Sequence, residues 1–149
     1  MSEDNPIRIY VSHVWQNDDD YQRVFEYLES ARNFFYKNCS DPDGDPGPDK
    51  EAMRSSLRSQ MEKSEVVILL SSLFATDPSW MQFQVSAALA LKKPIIAVHP
   101  FGGEGVPDEL GSKADEIVGW DPRGLEDAIR RCARHEEPQR WDTIEWDPD

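Results

Sequence analysis

The chain has 149 residues, of which 16 are Lys or Arg and 29 are Asp or Glu, and its formal net charge is −13. This length suits one domain with a single hydrophobic core. The strong negative charge, with no local basic patch, argues against general nucleic-acid binding. The two cysteines, Cys39 and Cys132, lie far apart without zinc-ligand spacing, so neither a zinc site nor a disulfide framework is expected.

Targeting segments are not evident in the sequence. No apolar run approaches the roughly 18 residues that a membrane-spanning helix needs. The first residues, Met1-Ser2-Glu3-Asp4, are acidic rather than basic and then apolar, as a signal peptide would be. We therefore expect a cytosolic protein without a membrane partner.

The first half of the chain alternates short apolar runs with amphipathic segments. A strand is predicted from Ile7 to His13, and a helix begins at Asp18-Asp19-Asp20, with acids at its positive end. A short second strand is predicted from Phe34 to about Cys39. Three prolines and two glycines between Ser40 and Asp49 indicate an exposed loop, and helix resumes from Lys50 to Lys63.

The centre of the chain reads as strand, helix, strand. Residues Val66–Leu70 form an unbroken apolar run, typical of a strand buried on both faces. Asp77-Pro78-Ser79 is a helix start with a capping acid, and Lys92-Lys93-Pro94 ends that helix before the strand Ile95–Val98. A helix between two apolar strands predicts a right-handed crossover and a parallel sheet.

One face of this helix is apolar except at one position. The residues at three- and four-residue steps on that face are Trp80, Phe83, Gln84, Ala87, Ala88 and Leu91. Gln84 is therefore a polar side chain in a row of core residues.

The remaining segments complete one domain over residues 1–134. A Gly- and Pro-rich loop follows His99, Asp108–Ala114 predicts a helical turn, and Glu116–Trp120 predicts the last strand. Asp121-Pro122 then begins a final helix.

An acidic tail covers residues 135–149. It contains apolar residues that a fully solvated tail would not need: Trp141, Ile144 and Trp146. The tail either packs across the domain's own surface or is a peptide that binds a partner.

Five β segments alternating with helices predict an α/β, flavodoxin-like, doubly wound parallel sheet of five strands in the order 2-1-3-4-5. Ligands bind such sheets where the winding reverses, here at the carboxyl ends of strands one and three. This places segments 12–18 and 71–80 at a binding crevice, with the loop 40–49 over the same edge.

Seven residues are candidates for ligand binding at this edge: Ser12, His13, Trp15, Asp45, Ser71, Ser72 and Trp80. The Ser12 hydroxyl suits a ribose or phosphate oxygen, and His13 suits a diphosphate or a ring, although packing under the loop is as good an explanation of His13. Trp15 is either a stacking surface for a base or a core residue, and Trp80 is a structural anchor that aims position 84. No metal site is expected, because the acids near Asp45 lack calcium-loop spacing.

Other proteins with this strand order need residues that are missing here. A phosphoacceptor receiver domain needs acids after strand one, an aspartate ending strand three and a lysine ending strand five. The corresponding pairs are Ser12-His13, Ser71-Ser72 and Gly119-Trp120. The phosphate loop of a flavodoxin, a Rossmann fingerprint and a P-loop are also missing.

Three segments in this order resemble a TIR domain, specifically the TIR-like ThsB family of bacterial Thoeris antiphage defence. They are Ile9–His13 with acids shortly after, Val66–Ser72, and Ser79–Gln84 leading to Lys93–Ile96; the resemblance extends to about Arg134. It implies cleavage of the nicotinamide–ribose bond of NAD, the substrate, with no further cofactor. Hydrolysis or cyclisation then yields an ADP-ribose-type signal for a separate effector protein. It also implies self-association through TIR surfaces, and a lid role for loop 40–49.

The sequence departs from this family at one position. The family places a catalytic glutamate four residues after the tryptophan, and here that position is Gln84. An amide supplies no negative charge to the oxocarbenium-like ribose and does not act as a base, so we expect impaired cleavage. Gln84 is either a deliberate change from glutamate or the residue of a natural non-catalytic relative. A buried glutamine bonded to a backbone group is the purely structural explanation.

Two other functions fit the same sequence. One is a TIR-like interaction module that assembles with itself or a partner without chemistry. The other is a receptor for a small nucleotide, which binds tightly without turnover.

Overall fold

The computed structural model describes residues 2–16, 18–103 and 105–135. It contains one parallel sheet of five strands in the order β2-β1-β3-β4-β5. The strands are β1 (Ile7–Val11), β2 (Tyr36–Asn38), β3 (Val66–Leu70), β4 (Ile95–Val98) and β5 (Glu116–Val118). The helices are α1 (Asp19–Glu29), α2 (Lys50–Glu62), α3 (Ser72–Thr76), α4 (Pro78–Ala90), α5 (Asp108–Gly111) and α6 (Pro122–Arg134). The predicted fold class and strand order are confirmed.

The sheet lies between two helical layers. All five residues of β3 are buried, as expected for a central strand covered on both faces. Helix α1 contacts α6 on one face, and α2 contacts α4 on the other. This division follows from right-handed crossovers that change direction after β2. The winding therefore reverses between β1 and β3, and their carboxyl ends meet at one edge.

The connection from β3 to α4 differs from the prediction. The five-residue helix α3 lies between them, where only a strand end and a helix start were expected. Asp77 occupies the N-cap position of α4 as predicted, but its side chain makes no cap hydrogen bond. Pro78 at the first position of α4 instead supplies the start, since its missing N–H needs no partner there.

The buried face of α4 is rotated from the predicted one. Met81 and Val85 are buried, whereas Trp80, Phe83 and Leu91 are only partly buried. The large aromatic residues were predicted to lie in the core, but they lie at the border between the buried and the exposed faces of the helix. Gln84 keeps its predicted place on the buried face, between Met81 and Val85.

The predicted tail interaction lies outside the described residues, because the description ends at His135. None of the helices in the described ranges is long and apolar enough to cross a membrane.

A charged cluster ties the end of α6 to the start of the sheet. Arg134 donates from Nε to Glu65 Oε1 at 2.7 Å and from Nη2 to Glu65 Oε2 at 2.9 Å. The Arg8 backbone N–H donates to the same carboxylate at 3.0 Å. These bonds, those from Arg134 foremost, lower the pKa of Glu65 to about 2.

Glu65→Gln is expected to lower the free energy of unfolding by about 1–3 kcal/mol at pH 7. Because the folded-state pKa is lowered, this contribution is complete above pH 4.5 and is lost as the pH falls toward 2. Urea unfolding between pH 2 and 7 measures it. Glu62→Gln, at an exposed position on α2, is the matched control and should change little; equal curves for the two variants would contradict the account.

Candidate functional site at the carboxyl edge of the sheet

Ser12 joins β1 to β3 where both strands end. Its backbone N–H donates to the Ile68 carbonyl at 2.9 Å, and its Oγ accepts from the Leu70 N–H at 2.9 Å. The residue is fully buried. Ser12 therefore stabilises the pairing of β1 with β3 at their carboxyl ends. Its contact with a ligand stays a prediction.

His13 is fully buried, with both ring nitrogens in hydrogen bonds. Nδ1 accepts from the Trp15 backbone N–H at 3.0 Å, and Nε2 lies 2.7 Å from Gln60 Oε1. Because a backbone N–H only donates, Nδ1 is unprotonated and Nε2 carries the proton. Burial lowers the pKa of His13, although the Gln60 bond and the charges of Asp41 and Asp43 oppose that effect. His13 is therefore a neutral supporting group at pH 7.

Gln60 links His13 to the loop after β2. Its Oε1 also accepts from the Asp41 N–H at 3.0 Å, and its Nε2 donates to Ser56 Oγ at 3.1 Å. The loop thus lies over the carboxyl edge, as the topology predicted. The contact of Gln60 with His13 was not predicted from sequence. In the sequence Gln60 is an ordinary helix residue, and only the fold brings it next to the end of β1.

Asp45 lies farther along this loop than the acids that act on the site. It is exposed and accepts from the Gly47 N–H at 2.9 Å, within its own turn. The charges that act on His13 come from Asp41 and Asp43. Sequence position could have indicated Asp41 and Asp43, because both lie closer to the end of β2 than Asp45 does. Ligand contact by Asp45 stays a prediction.

Gln84 lies beneath the same edge, with 0% of its surface exposed. Its Oε1 accepts from the Tyr10 hydroxyl at 2.6 Å, and its Nε2 donates to the His13 carbonyl at 2.9 Å. Nε2 also lies 3.8 Å from Met81 Sδ. Both the oxygen and the nitrogen of the Gln84 amide are thus hydrogen-bonded. One partner is a backbone carbonyl, as expected for a glutamine with a purely structural role.

Aromatic rings form a wall beside these polar groups. The Trp15 ring packs edge-on against the rings of His13 and Trp80, with centroids 5.4 and 5.7 Å away. Phe83 extends the wall, its centroid 6.0 Å from that of Trp80. Trp15 has φ +58°, a left-handed conformation that is uncommon for a bulky residue.

Three buried polar atoms at this edge lack a hydrogen-bond partner among the described residues: Trp15 Nε1, Ser71 Oγ and Ser72 Oγ. Buried polar groups are nearly always paired, so unpaired ones need an explanation. Here they follow β1 and β3, the two strands that define the switch point. These unpaired atoms therefore lie on the segments after β1 and β3, where the topology predicts a ligand.

Other parts of the described chain offer weaker sites. Its His, Cys, Asp and Glu residues form no group of three or more that would hold a metal ion. An open groove of about 410 Å³ lies at the start of β2; its lining residues are Glu3, Pro6, Glu29, Phe34, Phe35 and Tyr36. This groove is at the amino end of the strands, opposite the edge where ligands bind such sheets.

The strand order and the crossovers define a doubly wound, flavodoxin-like α/β domain, the fold class to which TIR-like domains belong. Residues 10–104 match the family model described as Thoeris protein ThsB, TIR-like domain. The match covers well over half of the chain, which therefore belongs to this antiphage-defence family. No curated protein matches the chain.

We expect His13 to make the stability of the domain depend on pH. Because the folded-state pKa lies below the ordinary value of about 6.5, protons bind preferentially to the unfolded chain. Stability is therefore complete above pH 6.5 and falls below it, by at most about 1.4 kcal/mol per pH unit. Urea unfolding at pH 5 and 7.5 measures the slope.

His13→Gln should flatten this slope, because the amide donates to Gln60 without titrating. His135→Asn, at an exposed position after α6, is the control and should keep the wild-type slope. If the free energy of unfolding of His13→Gln still falls below pH 6.5 as in wild type, the pH dependence comes from another group.

Proposed function

We propose that this chain is a TIR-like domain of antiphage defence that binds an NAD-class dinucleotide at the carboxyl edge of β1 and β3. We further propose that the site is of the NAD-cleaving type and that Gln84 strongly impairs cleavage in this chain. The observation that carries the proposal is the set of unpaired buried groups on Ser71, Ser72 and Trp15 at this edge.

The chemistry of these groups suits a dinucleotide. Two serine hydroxyls donate and accept, which matches ribose hydroxyls and phosphate oxygens. The indole N–H of Trp15 donates to an oxygen or a ring nitrogen. The half-buried rings of Trp15 and Trp80 are flat apolar surfaces of the kind that stack on a base.

The proposed reaction breaks the nicotinamide–ribose bond and leaves an ADP-ribose product, hydrolysed or cyclised, that acts on a separate effector. Positive charge develops on the ribose as nicotinamide leaves, so a carboxylate beside the sugar lowers the barrier. Gln84 has the shape of that group without its charge. The NAD pool of the cytosol would supply the substrate, and no other cofactor is needed.

A second candidate function is an interaction module that self-associates without chemistry. It is favoured by the enclosure of Gln84, which has 0% of its surface exposed and uses both ends of its amide within the protein. Concentration-dependent oligomers in light scattering, together with no affinity for NAD or ADP-ribose, would favour this function.

Isothermal titration calorimetry with NAD and ADP-ribose tests the proposal. Both ligands should bind the wild-type chain, and Ser71→Ala should weaken binding about fivefold to tenfold, because one hydrogen bond is worth about 1 kcal/mol. Ser86→Ala, at an exposed position on α4, should bind like wild type. Undetectable binding of both ligands to the wild-type chain would overturn the proposal.

A further inference from the structure

Position 84 has two buried neighbours of opposite hydrogen-bonding character. The Tyr10 hydroxyl faces Oε1, and since an amide oxygen only accepts, the hydroxyl is the donor. The His13 carbonyl faces Nε2, and a backbone carbonyl only accepts. Tyr10, His13 and Gln84 each have 0% of their surface exposed, so solvent does not replace either partner.

We propose that the Tyr10 hydroxyl and the His13 carbonyl form a socket that favours an uncharged hydrogen-bonding group over a charged one at position 84, with Tyr10 as its positioning residue. The functional meaning of this socket rests on the proposed function. An uncharged group beside the ribose leaves a bound dinucleotide intact, so the chain retains its ligand rather than consuming it.

A carboxylate fits this socket less well than an amide. Its second oxygen would face the His13 carbonyl oxygen across the 2.9 Å that the Gln84 N–H now bridges. Repulsion between the two oxygens and removal of the charge from water both raise the pKa of such a carboxyl. A protonated carboxyl fits, because its O–H donates to His13 while its other oxygen accepts from Tyr10.

Titratable groups lie around the socket on β1, α1 and the loop after β2: Tyr10, His13, Tyr21, Asp41 and Asp43. Burial raises the pKa of Tyr10 and Tyr21 and lowers that of His13, so all three are neutral at pH 7. The charges of Asp41 and Asp43 act on the His13 ring and on Tyr21. The preference for an uncharged group at position 84 therefore comes from burial and from the His13 carbonyl.

Tyr10 has an effect that packing alone does not supply. Burial raises the pKa of Tyr10 well above its ordinary value, so the hydroxyl stays a donor across the accessible pH range. A donor stabilises an ionised oxygen more than a neutral one. Removing this hydroxyl should therefore raise the pKa of a carboxyl at position 84 still further.

Urea unfolding from pH 4.5 to 9 tests the socket with Gln84→Glu. Because the pKa of the new carboxyl at position 84 is raised in the folded state, the variant loses stability as the pH rises. The ratio of its unfolding constant to that of wild type should grow by up to about tenfold per pH unit above the unfolded-state pKa of about 4.3. This ratio should become constant above the folded-state pKa. Gln82→Glu, at an exposed position on the same helix, is the matched control and should give a constant ratio above pH 5.

Adding Tyr10→Phe to Gln84→Glu should move the levelling-off point to higher pH. A purely structural Tyr10 would lower stability equally at every pH. The proposal is overturned if Gln84→Glu follows Gln82→Glu, if it fails to fold even at pH 4.5, or if Tyr10→Phe leaves the levelling-off point unmoved. Calorimetry with NAD on the wild-type chain separates the two proposals, since a loss of binding there contradicts the proposed function and leaves the socket standing.

Discussion

Gln84→Glu is expected to release nicotinamide from NAD at least about 100-fold faster than the wild-type chain, the usual contribution of one well-placed charged group. In the proposed mechanism, the variant supplies the negative charge that stabilises the developing ribose cation. Because the socket holds the new carboxyl partly protonated, the rate should rise with pH as that carboxyl ionises. Chromatography of nicotinamide at high protein concentration, between pH 6 and 9, measures both effects.

Gln82→Glu is the control for this experiment. It adds the same charge to the same helix at an exposed position, so its rate should equal that of the wild-type chain. A release rate at or below the detection limit in both wild type and Gln84→Glu, despite calorimetric binding of NAD, would contradict the cleavage proposal and favour the nucleotide receptor.

Gln84→Leu is expected to destabilise the domain by about 2–6 kcal/mol. The leucine fills similar space but leaves the Tyr10 hydroxyl and the His13 carbonyl buried without the partner they have now, at about 1–3 kcal/mol each. Gln82→Leu should change the free energy of unfolding by less than about 0.5 kcal/mol, as for most surface substitutions. Urea unfolding at pH 7 measures both, and a small loss for Gln84→Leu would mean that its hydrogen bonds matter little.

The elements with the clearest periodicity were predictable from sequence. The apolar runs of β3 and β4 fixed a parallel sheet, and Asp121-Pro122 marked the start of α6, where the Asp121 side chain accepts from the Gly124 N–H. Helix α3 was not predictable, because five residues are too few to show a helical period. The rotated face of α4 was not predictable, because Trp80 and Phe83 are as apolar as core residues yet are only partly buried, whereas Met81 is fully buried.

The candidate site was predictable in position but not in detail. The predicted strand order put the segments that follow β1 and β3 at one edge of the sheet, as the structure has them, and the polar break in an apolar face singled out Gln84; ligand binding at this edge stays a prediction. Burial of Ser12 and His13 depends on the pairing of β1 with β3 and on the loop above them, which no local pattern encodes. The same holds for Gln60, which meets His13 across 47 positions of sequence.

The most direct measurement of the central claim, that a dinucleotide binds at this edge, is an NMR titration of the indole N–H signals with NAD. The Trp15 indole N–H lacks a partner within the described residues, whereas that of Trp120 donates to the His99 carbonyl at 2.8 Å. We predict a saturable shift of the Trp15 signal, assigned by Trp15→Phe, with the Trp120 signal unmoved. A Trp15 signal that stays in place up to millimolar NAD would contradict the account.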